Sequence, residues 1–486
     1  MLANTFVASL SGLLTSASFN FSYLSFFIWF GLFPLFTLLY RTKNAPLYFF
    51  IAGFVHYLTI LFWISFVSKL GFILLAIYLA IYWFIFGQLS LYFIRSKYAI
   101  FVLPALWVIL EFIKENILGG FGWVNFAYSQ YKNLFLIQIS DLLGAKSISF
   151  LIVMVNFLIF FSLHNKKIVL KEFLYTIFIL IIVIIYSLFR LKTLDSSCTV
   201  KLTVIQPNIL QEIKWDIKSQ DFIIERLKEL GKKAINDTLL LYPEASWPKI
   251  IDIREDYQIG EIIDNLDRDV LIGAVIEDDG YLYNSALLID KEGNIKGLYR
   301  KIKLVPFGEY VPFRKLLGFI DVLNTLGDMS AGKELYIFNY KDRKFGTIIC
   351  FEDTFPLLVL AFSKRSDFLV NITNDAWFRG EPEASQHFSI MTFRAIENRI
   401  SIVRSANTGI SGYVDFLGRT NKLKVNGKEV FTEGLSLFEL PLNSKRSIYN
   451  RFGEFFVGIC GLIVLGASIG KRIGGKYGVK VGDSKN

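Results

Sequence analysis

Cysteine, histidine and charge are all scarce in this chain, and each shortage closes off a class of protein. Three cysteines in 486 residues cannot build the disulfide framework of a small secreted scaffold. The three histidines, His56, His164 and His387, are scattered and show no metal-ligand spacing, so neither a metal nor another cofactor is expected. No basic residue precedes Arg41; the first twenty residues therefore lack the positive region of a signal peptide and read as a short first membrane span. Charged residues make up 19% of the chain, where soluble domains carry about a quarter. Apolar residues fill the gap, with 53% hydrophobic residues, 16% aromatics and a mean hydropathy of +0.46.

The excess is segregated. Residues 1–191 are dominated by apolar runs, 192–450 return to ordinary charge density, and 451–486 hold one more apolar run and a basic tail. A helix needs about 20 apolar residues to cross a hydrocarbon core about 30 Å thick. Phe173–Phe189 contains no charge, and similar runs occupy roughly 21–40, 46–66, 71–94, 98–113 and 148–163, with a final one near 453–469. One such run could be a buried core helix; seven in succession predict a membrane domain of seven transmembrane helices, followed by a globular domain and an eighth span. Glu111, the main charge within the runs, reads as a cap of the fifth span at the interface.

Basic residues in short loops mark the cytoplasmic side. The connections "RTKN", "RSK" and "HNKK", and Lys471, Arg472, Lys476 and Lys480 of the tail, all fall on one side if seven spans precede the domain. Among the intervening short connections only "SK" at Ser68–Lys69 is basic. Residues 192–450 are thus expected outside the cytoplasm. The +10 formal charge follows largely from this bias, and no nucleic-acid partner is implied.

Within 192–450, strands alternate with helices. "KLTVIQPN", "TLLLYPEASWP", "DVLIGAVIED", "KFGTIICFED", "DFLVNITNDAWF" and "ISIVRSAN" read as strands, and helices are expected near 217–236, 253–266, 354–365 and 383–400. "YNSALLID" and "IKGLYRKIKLV" flank a "KEGN" turn as a hairpin. This pattern predicts a layered α/β fold with helices outside and sheets inside, in which polar residues at strand ends carry the chemistry.

Three strand ends supply an acid, an ammonium and a thiol: Glu244 after "LLLYP", Lys301 in "LYRKIKLV" and Cys350 after "GTII". A thiol is mostly protonated at neutral pH. A glutamate can take its proton, and a lysine can stabilise first the thiolate and then an oxyanion. The backbone N–H of Phe351 is a second oxyanion donor. Taken singly, each has a plainer reading: Glu244 as a helix N-cap, Lys301 as a surface charge, Cys350 as a core thiol or half of a disulfide with Cys198.

"YPEASWP", "YRKIKLVPFGEYVP", "CFED" and "NITNDAWF" together resemble the nitrilase (carbon–nitrogen hydrolase) superfamily and its Glu–Lys–Cys triad. Their setting between seven spans and an eighth is similar to the bacterial apolipoprotein N-acyltransferases, as is the loop "GGFGWVNFAYSQ" at 119–130. The resemblance covers essentially the whole chain. It implies a multi-span α-helical membrane domain (1–191), an α-β-β-α sandwich domain of nitrilase type (192–450), and a last span with a cytoplasmic tail (451–486).

By the same resemblance Glu244 is the general base, Lys301 the oxyanion lysine and Cys350 the nucleophile. Glu309 orients the lysine, Glu352 is an acid beside the nucleophile, and Trp215 and Trp377 belong to the substrate cleft or else anchor packing. Phe351 stands where tyrosine is common, and "RGEPEASQHF" is a variable form of its loop. The implied reaction moves an acyl chain from a phospholipid, through a thioester on Cys350, to the N-terminal amine of a diacylated lipoprotein, at the outer face of a bacterial inner membrane. Two other classes remain at this point: a membrane-tethered amidase that sends the thioester to water, and a transporter with an outside binding domain. The paucity of ionisable residues in the spans disfavours the transporter.

Overall fold

Long apolar segments fold as helices because the backbone of a helix satisfies its own hydrogen bonds wherever no water can. In the computed structural model, which describes residues 1–164, 170–196, 198–235, 237–254, 266–311, 314, 328–378 and 380–477, the apolar third is helical throughout. It comprises α1 (Leu2–Asn20), α2 (Phe33–Arg41), α3 (Ala45–Ile60), α4 (Lys69–Phe93), α5 (Ala99–Asn116), the short α6 (Leu134–Ile137) and α7 (Ser140–Leu143), α8 (Lys146–His164) and α9 (Leu170–Thr193). Each run read from the sequence coincides with a helix or with a 3-10 segment joined to one. The second is Ser22–Trp29 leading into α2, and the third is α3 followed by Phe62–Phe66.

Among the described residues six helices are long and apolar enough to cross a membrane: Leu2–Asn20, Tyr23–Arg41, Lys69–Phe93, Lys146–His164, Leu170–Thr193 and Phe455–Arg472. α3 is shorter, and α5 carries Glu111, Lys114 and Glu115 in its last turns. Phe178, Ile182, Ile185 and Phe189 of α9, and Leu462 and Leu465 near the C-terminus, are exposed. Such continuous apolar faces suit lipid rather than water, and the protein is a membrane protein. Glu111 is not an interfacial cap. It is buried and accepts hydrogen bonds from Trp107 Nε1 (2.9 Å) and from the backbone N–H of Phe126 (3.0 Å), so it holds the 119–130 loop against α5.

Beyond α9 the long apolar runs give way to short ones bounded by charged and turn residues. β1 (Cys198–Gln206), α10 (Gln220–Lys232), β2 (Leu239–Leu241), β3 (Ile251–Asp252), β4 (Val270–Asp278), β5 (Tyr281–Ile289) and β6 (Ile295–Arg300) form the first half of the domain. β7 (Ile337–Tyr340), β8 (Arg343–Ile349), α11 (Pro356–Ser363), β9 (Phe368–Thr373), α12 (Glu381–Asn398) and β10 (Ile402–Ala406) form the second. β11 (Gly412–Val414), β12 (Thr420–Lys422) and β13 (Gly434–Leu442) follow, then α13 (Ile448–Phe452) and α14 (Phe455–Tyr477).

One sheet has the order β13-β1-β2-β4-β5-β6 with β3 beside β4, and the other β12-β11-β10-β9-β8-β7. Successive side chains of a strand point to opposite faces, and both faces here are covered. Leu239 and Leu241 enter the core between the sheets, while Leu240 faces the layer under α10 with Ile223 and Leu227. Phe362 of α11 and Phe388 of α12 close the other side. The result is the expected α-β-β-α sandwich. The β5–β6 hairpin forms as read, antiparallel from Ser285↔Arg300. The helix read near 253–266 lies almost wholly outside the described residues, as do most of the "HNKK" connection and Lys480.

Candidate active site

Glu244, Lys301 and Cys350 stand one to three positions past a strand. Glu244 follows β2, and its loop lies flat on β4 because Gly273 has no side chain: a Cβ there would meet Pro243 O and Ala245 N at 2.5 Å. Lys301 follows β6, its N–H donating to Asn284 O (2.8 Å). Cys350 ends β8 with φ +51, a left-handed conformation uncommon for a residue with a side chain.

The structure brings Glu244, Lys301 and Glu309 into direct contact. The Lys301 ammonium, 1% exposed, donates to Glu244 Oε1 and Glu309 Oε1, each at 3.0 Å. Asn284 Nδ2 donates to the same two oxygens at 2.7 and 2.6 Å. The remaining oxygens are taken by backbone N–H groups, Glu244 Oε2 by Asn374 (2.9 Å) and Glu309 Oε2 by Val305 (2.8 Å). Burial works against the charge of Lys301, but Glu244 and Glu309 outweigh it and hold the ammonium well above the usual lysine range.

Cys350 is half-buried, and it is a free thiol, so no bridge to Cys198 forms. Desolvation pushes its pKa well up, the negative charge of Glu244 adds to this, and Lys301 opposes both. The resting group is therefore a protonated thiol. Its carbonyl accepts from Asn371 Nδ2 (3.3 Å) and lies 3.3 Å from His387 Nε2.

Glu352 is fully buried and braces the site. Oε1 accepts from Tyr299 Oη (2.8 Å) and from the N–H groups of Ile302 (2.7 Å) and Lys303 (3.0 Å), and Oε2 from Ile349 N (2.8 Å). One carboxylate thus ties the segment after Lys301 to the strand before Cys350. Burial raises its pKa to about 6 against the pull of those N–H groups. Phe351 packs edge-on to Phe355 and parallel to Trp123 of the membrane loop. Trp215 and Trp377 are placed differently, on the surface and 41% and 49% exposed. Close to Trp377, an open cleft of about 430 Å³ is lined by Leu210, Gln211, Glu212, Ala376, Thr408 and Phe431.

Reading strand ends one at a time missed several groups. Asn284 and Lys214 bear on Glu244 from segments that carry no strand-end signal. One of the three histidines also sits in a buried acidic cluster. His387 lies between Asp353 Oδ1 (3.1 Å) and Asp375 Oδ1 (3.3 Å), and its atoms group with Asp375 and Glu383 within 4.8 Å. Burial and Arg404 oppose a charge on His387, yet Asp353 and Asp375 raise its pKa to about 10. Arg404 pairs with Asp353 in the same cluster.

Residues 11–158 match the sequence profile of the apolipoprotein N-acyltransferase N-terminal domain, and residues 266–447 match that of the carbon-nitrogen hydrolases. A protein of Geobacter metallireducens named apolipoprotein N-acyltransferase is 34% identical over 501 residues, which cover 95% of this chain and 94% of its own. The chain belongs to the apolipoprotein N-acyltransferase family. Members from Rickettsia prowazekii (29% identical, 90% of each chain) and Thermotoga maritima (27%, 94% and 91%) align over nearly the same span. As a member of that family the protein is an enzyme, an acyltransferase on a carbon-nitrogen hydrolase domain, which sets the transporter reading aside.

Proposed function

We propose that the protein transfers an acyl chain from a phospholipid to the N-terminal amine of a diacylglyceryl-cysteine apolipoprotein by double displacement at Cys350. Glu244 takes the thiol proton as sulfur attacks the ester carbonyl. Lys301 and the backbone N–H of Phe351 stabilise the oxyanion, and Glu244 returns the proton to the departing lysophospholipid. The α-amine of the lipoprotein then attacks the thioester, giving an amide and the free thiol. Glu309 keeps the lysine aimed and charged, Glu352 braces it from behind, and Trp215 and Trp377 guide the acyl chains at the mouth of the cleft.

In this reading residues 1–191 cross the membrane seven times and residues 451–486 once, with 192–450 outside the cytoplasm of a bacterial inner membrane. The topology rests on the basic "RTKN" and "RSK" connections. One observation carries the functional reading. Cys350 packs at the same time against the inter-sheet core of the domain and against the apolar cluster of the membrane helices, beside the Glu244–Lys301–Glu309 group. A nucleophile at that seam meets an ester at the membrane interface without drawing a lipid into water, and the apolar walls protect the thioester from hydrolysis.

A membrane-tethered amidase would use the same residues but send the acyl group to water. The fate of a labelled acyl chain separates the two: on this account label from phospholipid appears on a diacylated lipopeptide. Label recovered as free fatty acid, with none on the peptide, would assign the protein to the hydrolases.

A further inference from the structure

Glu383 is a buried acid with no part in the reaction described above. It stands in the first turn of α12 and is 1% exposed, and neither of its carboxyl oxygens has a hydrogen-bond partner among the described residues. Oδ2 of Asp375, in the loop after β9, is buried and has none either. The contact of Glu383 Oε1 with His387 Nδ1, at 3.6 Å, is too long for a hydrogen bond. A proton on Glu383 would not mend this, since it would add a buried donor without an acceptor. Leaving such groups unpaired is costly, and a bound ion is one reason they persist.

Around these oxygens stand the parts of a metal centre. One ligand atom each from Asp375, Glu383 and His387 lie within 4.8 Å of one another. His387 Nδ1 is 3.3 Å from Asp375 Oδ1 and 3.6 Å from Glu383 Oε1. Tetrahedral ligands are separated by about 3.3 Å when the metal bonds are about 2.0–2.1 Å long. Glu383 and His387 are one turn apart on α12 and share a face. The other ring nitrogen of His387, Nε2, faces Asp353 Oδ1 at 3.1 Å, the kind of carboxylate that fixes the tautomer of a metal-bound imidazole. Asp353 is in turn paired with Arg404. Charge agrees with the geometry. The carboxylates of Asp353, Asp375 and Glu383 with the one guanidinium leave two negative charges, which a single divalent cation on a neutral imidazole cancels. Without an ion, Asp353 and Asp375 hold a proton on His387 instead, and metal binding displaces it.

We propose that Asp375, Glu383 and His387 bind one divalent cation of the zinc class, with Asp353 behind His387. The ion ties α12 to the loop after β9, where the Asn374 N–H donates to Glu244 Oε2 (2.9 Å). Its work is to hold that loop, and it does not depend on which route the acyl chain takes. The scattered histidines gave no sign of the site, because only one of them is a ligand and the other two ligands are acids.

The test uses full-length protein without a histidine tag, stripped with a chelator in detergent and titrated with Co²⁺, whose visible absorption reports coordination geometry. We expect one equivalent per chain in a tetrahedral environment, displaced by Zn²⁺, and an unfolding midpoint that Zn²⁺ raises. Glu383→Gln and His387→Gln should weaken Co²⁺ binding by at least about 100-fold, and Asp353→Asn, which keeps all three ligands, by about 10–100-fold. Glu383→Gln keeps the shape of the side chain; with helix content by circular dichroism unchanged, its midpoint should no longer respond to Zn²⁺. Wild-type protein that takes up neither Co²⁺ nor Zn²⁺ would overturn the proposal. So would a Glu383→Gln variant that binds as tightly as the wild type, which would place the ion elsewhere.

Discussion

At the scale of single residues, the site depends on charges that have specific partners. Lys301 makes one contact to each of two carboxylates, a point-charge arrangement that the planar fork of arginine does not reproduce. We expect Lys301→Arg to lose thioester formation by about 100-fold, close to Lys301→Met, because an oxyanion donor is worth about 10²–10³; single-turnover labelling of Cys350 measures it. Glu352 gives the pH dependence. Its folded pKa of about 6 lies above the 4.5 of a free glutamate, so the ionised form that accepts from Ile302, Lys303 and Ile349 is present above pH 6 and lost as pH falls through it. Acylation of Cys350 should decline on the acid side around pH 6, and Glu352→Gln should remove that limb. Burial favours the protonated form, so this ionisation serves the site and costs stability. Glu244, Lys301 and Cys350 were legible because each follows an apolar strand that ends on a polar group, and Glu309 and Glu352 only through the motifs "VPFGEYVP" and "CFED" that carry the family resemblance. Asn284 was not, since it lies mid-strand in "YNSALL" and becomes a ligand of two carboxylates only once the sheet forms.

At the scale of elements, the membrane loop 119–130 acts as a floor for the nucleophile segment. Gly122 lets it approach: a Cβ there would stand 2.4 Å from the carbonyl oxygen of Thr354. Trp123 then donates to Gln386 Oε1 (3.0 Å) and faces the ring of His387 at 4.9 Å. Gly122→Val should push the Cys350–Thr354 turn out of place, at the cost of about 1–3 kcal/mol that overpacking brings. We expect at least a tenfold loss of acylation by Cys350, with helix content by circular dichroism unchanged. The loop was legible as a motif, but its partner was not, because 263 residues separate Trp123 from Gln386. The strand order shows the same divide. Most strands and the β5–β6 hairpin follow from short apolar runs bounded by turn residues, whereas β13, which pairs with β1 along Cys198↔Leu442, is interrupted by Glu439 and Pro441 and gives no such run.

At the scale of the whole molecule, charges centred on Asp141 and Lys146 tie the helices to one another and to the sandwich. Asp141 of α7 accepts from Arg399 at the end of α12 (2.8 Å) and from Arg190 of α9 (2.7 Å), and Lys146 joins Glu115 to Glu454. Removing one partner of a buried pair costs about 3–5 kcal/mol, so Arg399→Ala should markedly lower the unfolding midpoint in detergent; an unchanged midpoint would show that the clasp is not needed. Composition revealed two kinds of domain but not this joint, because its charges lie mostly between the apolar runs and far apart along the chain, with 258 residues between Asp141 and Arg399. The joint matters because it fixes the sandwich, and Cys350 with it, to the membrane helices, and the account turns on that thiol. Intact-mass analysis of the protein after exposure to phospholipid tests it most directly. We expect a mass increase of one acyl chain on Cys350, absent from Cys350→Ala and lost again when a diacylated lipopeptide is added. A wild-type protein that never gains the acyl mass, or gains it equally without the thiol, would contradict the account.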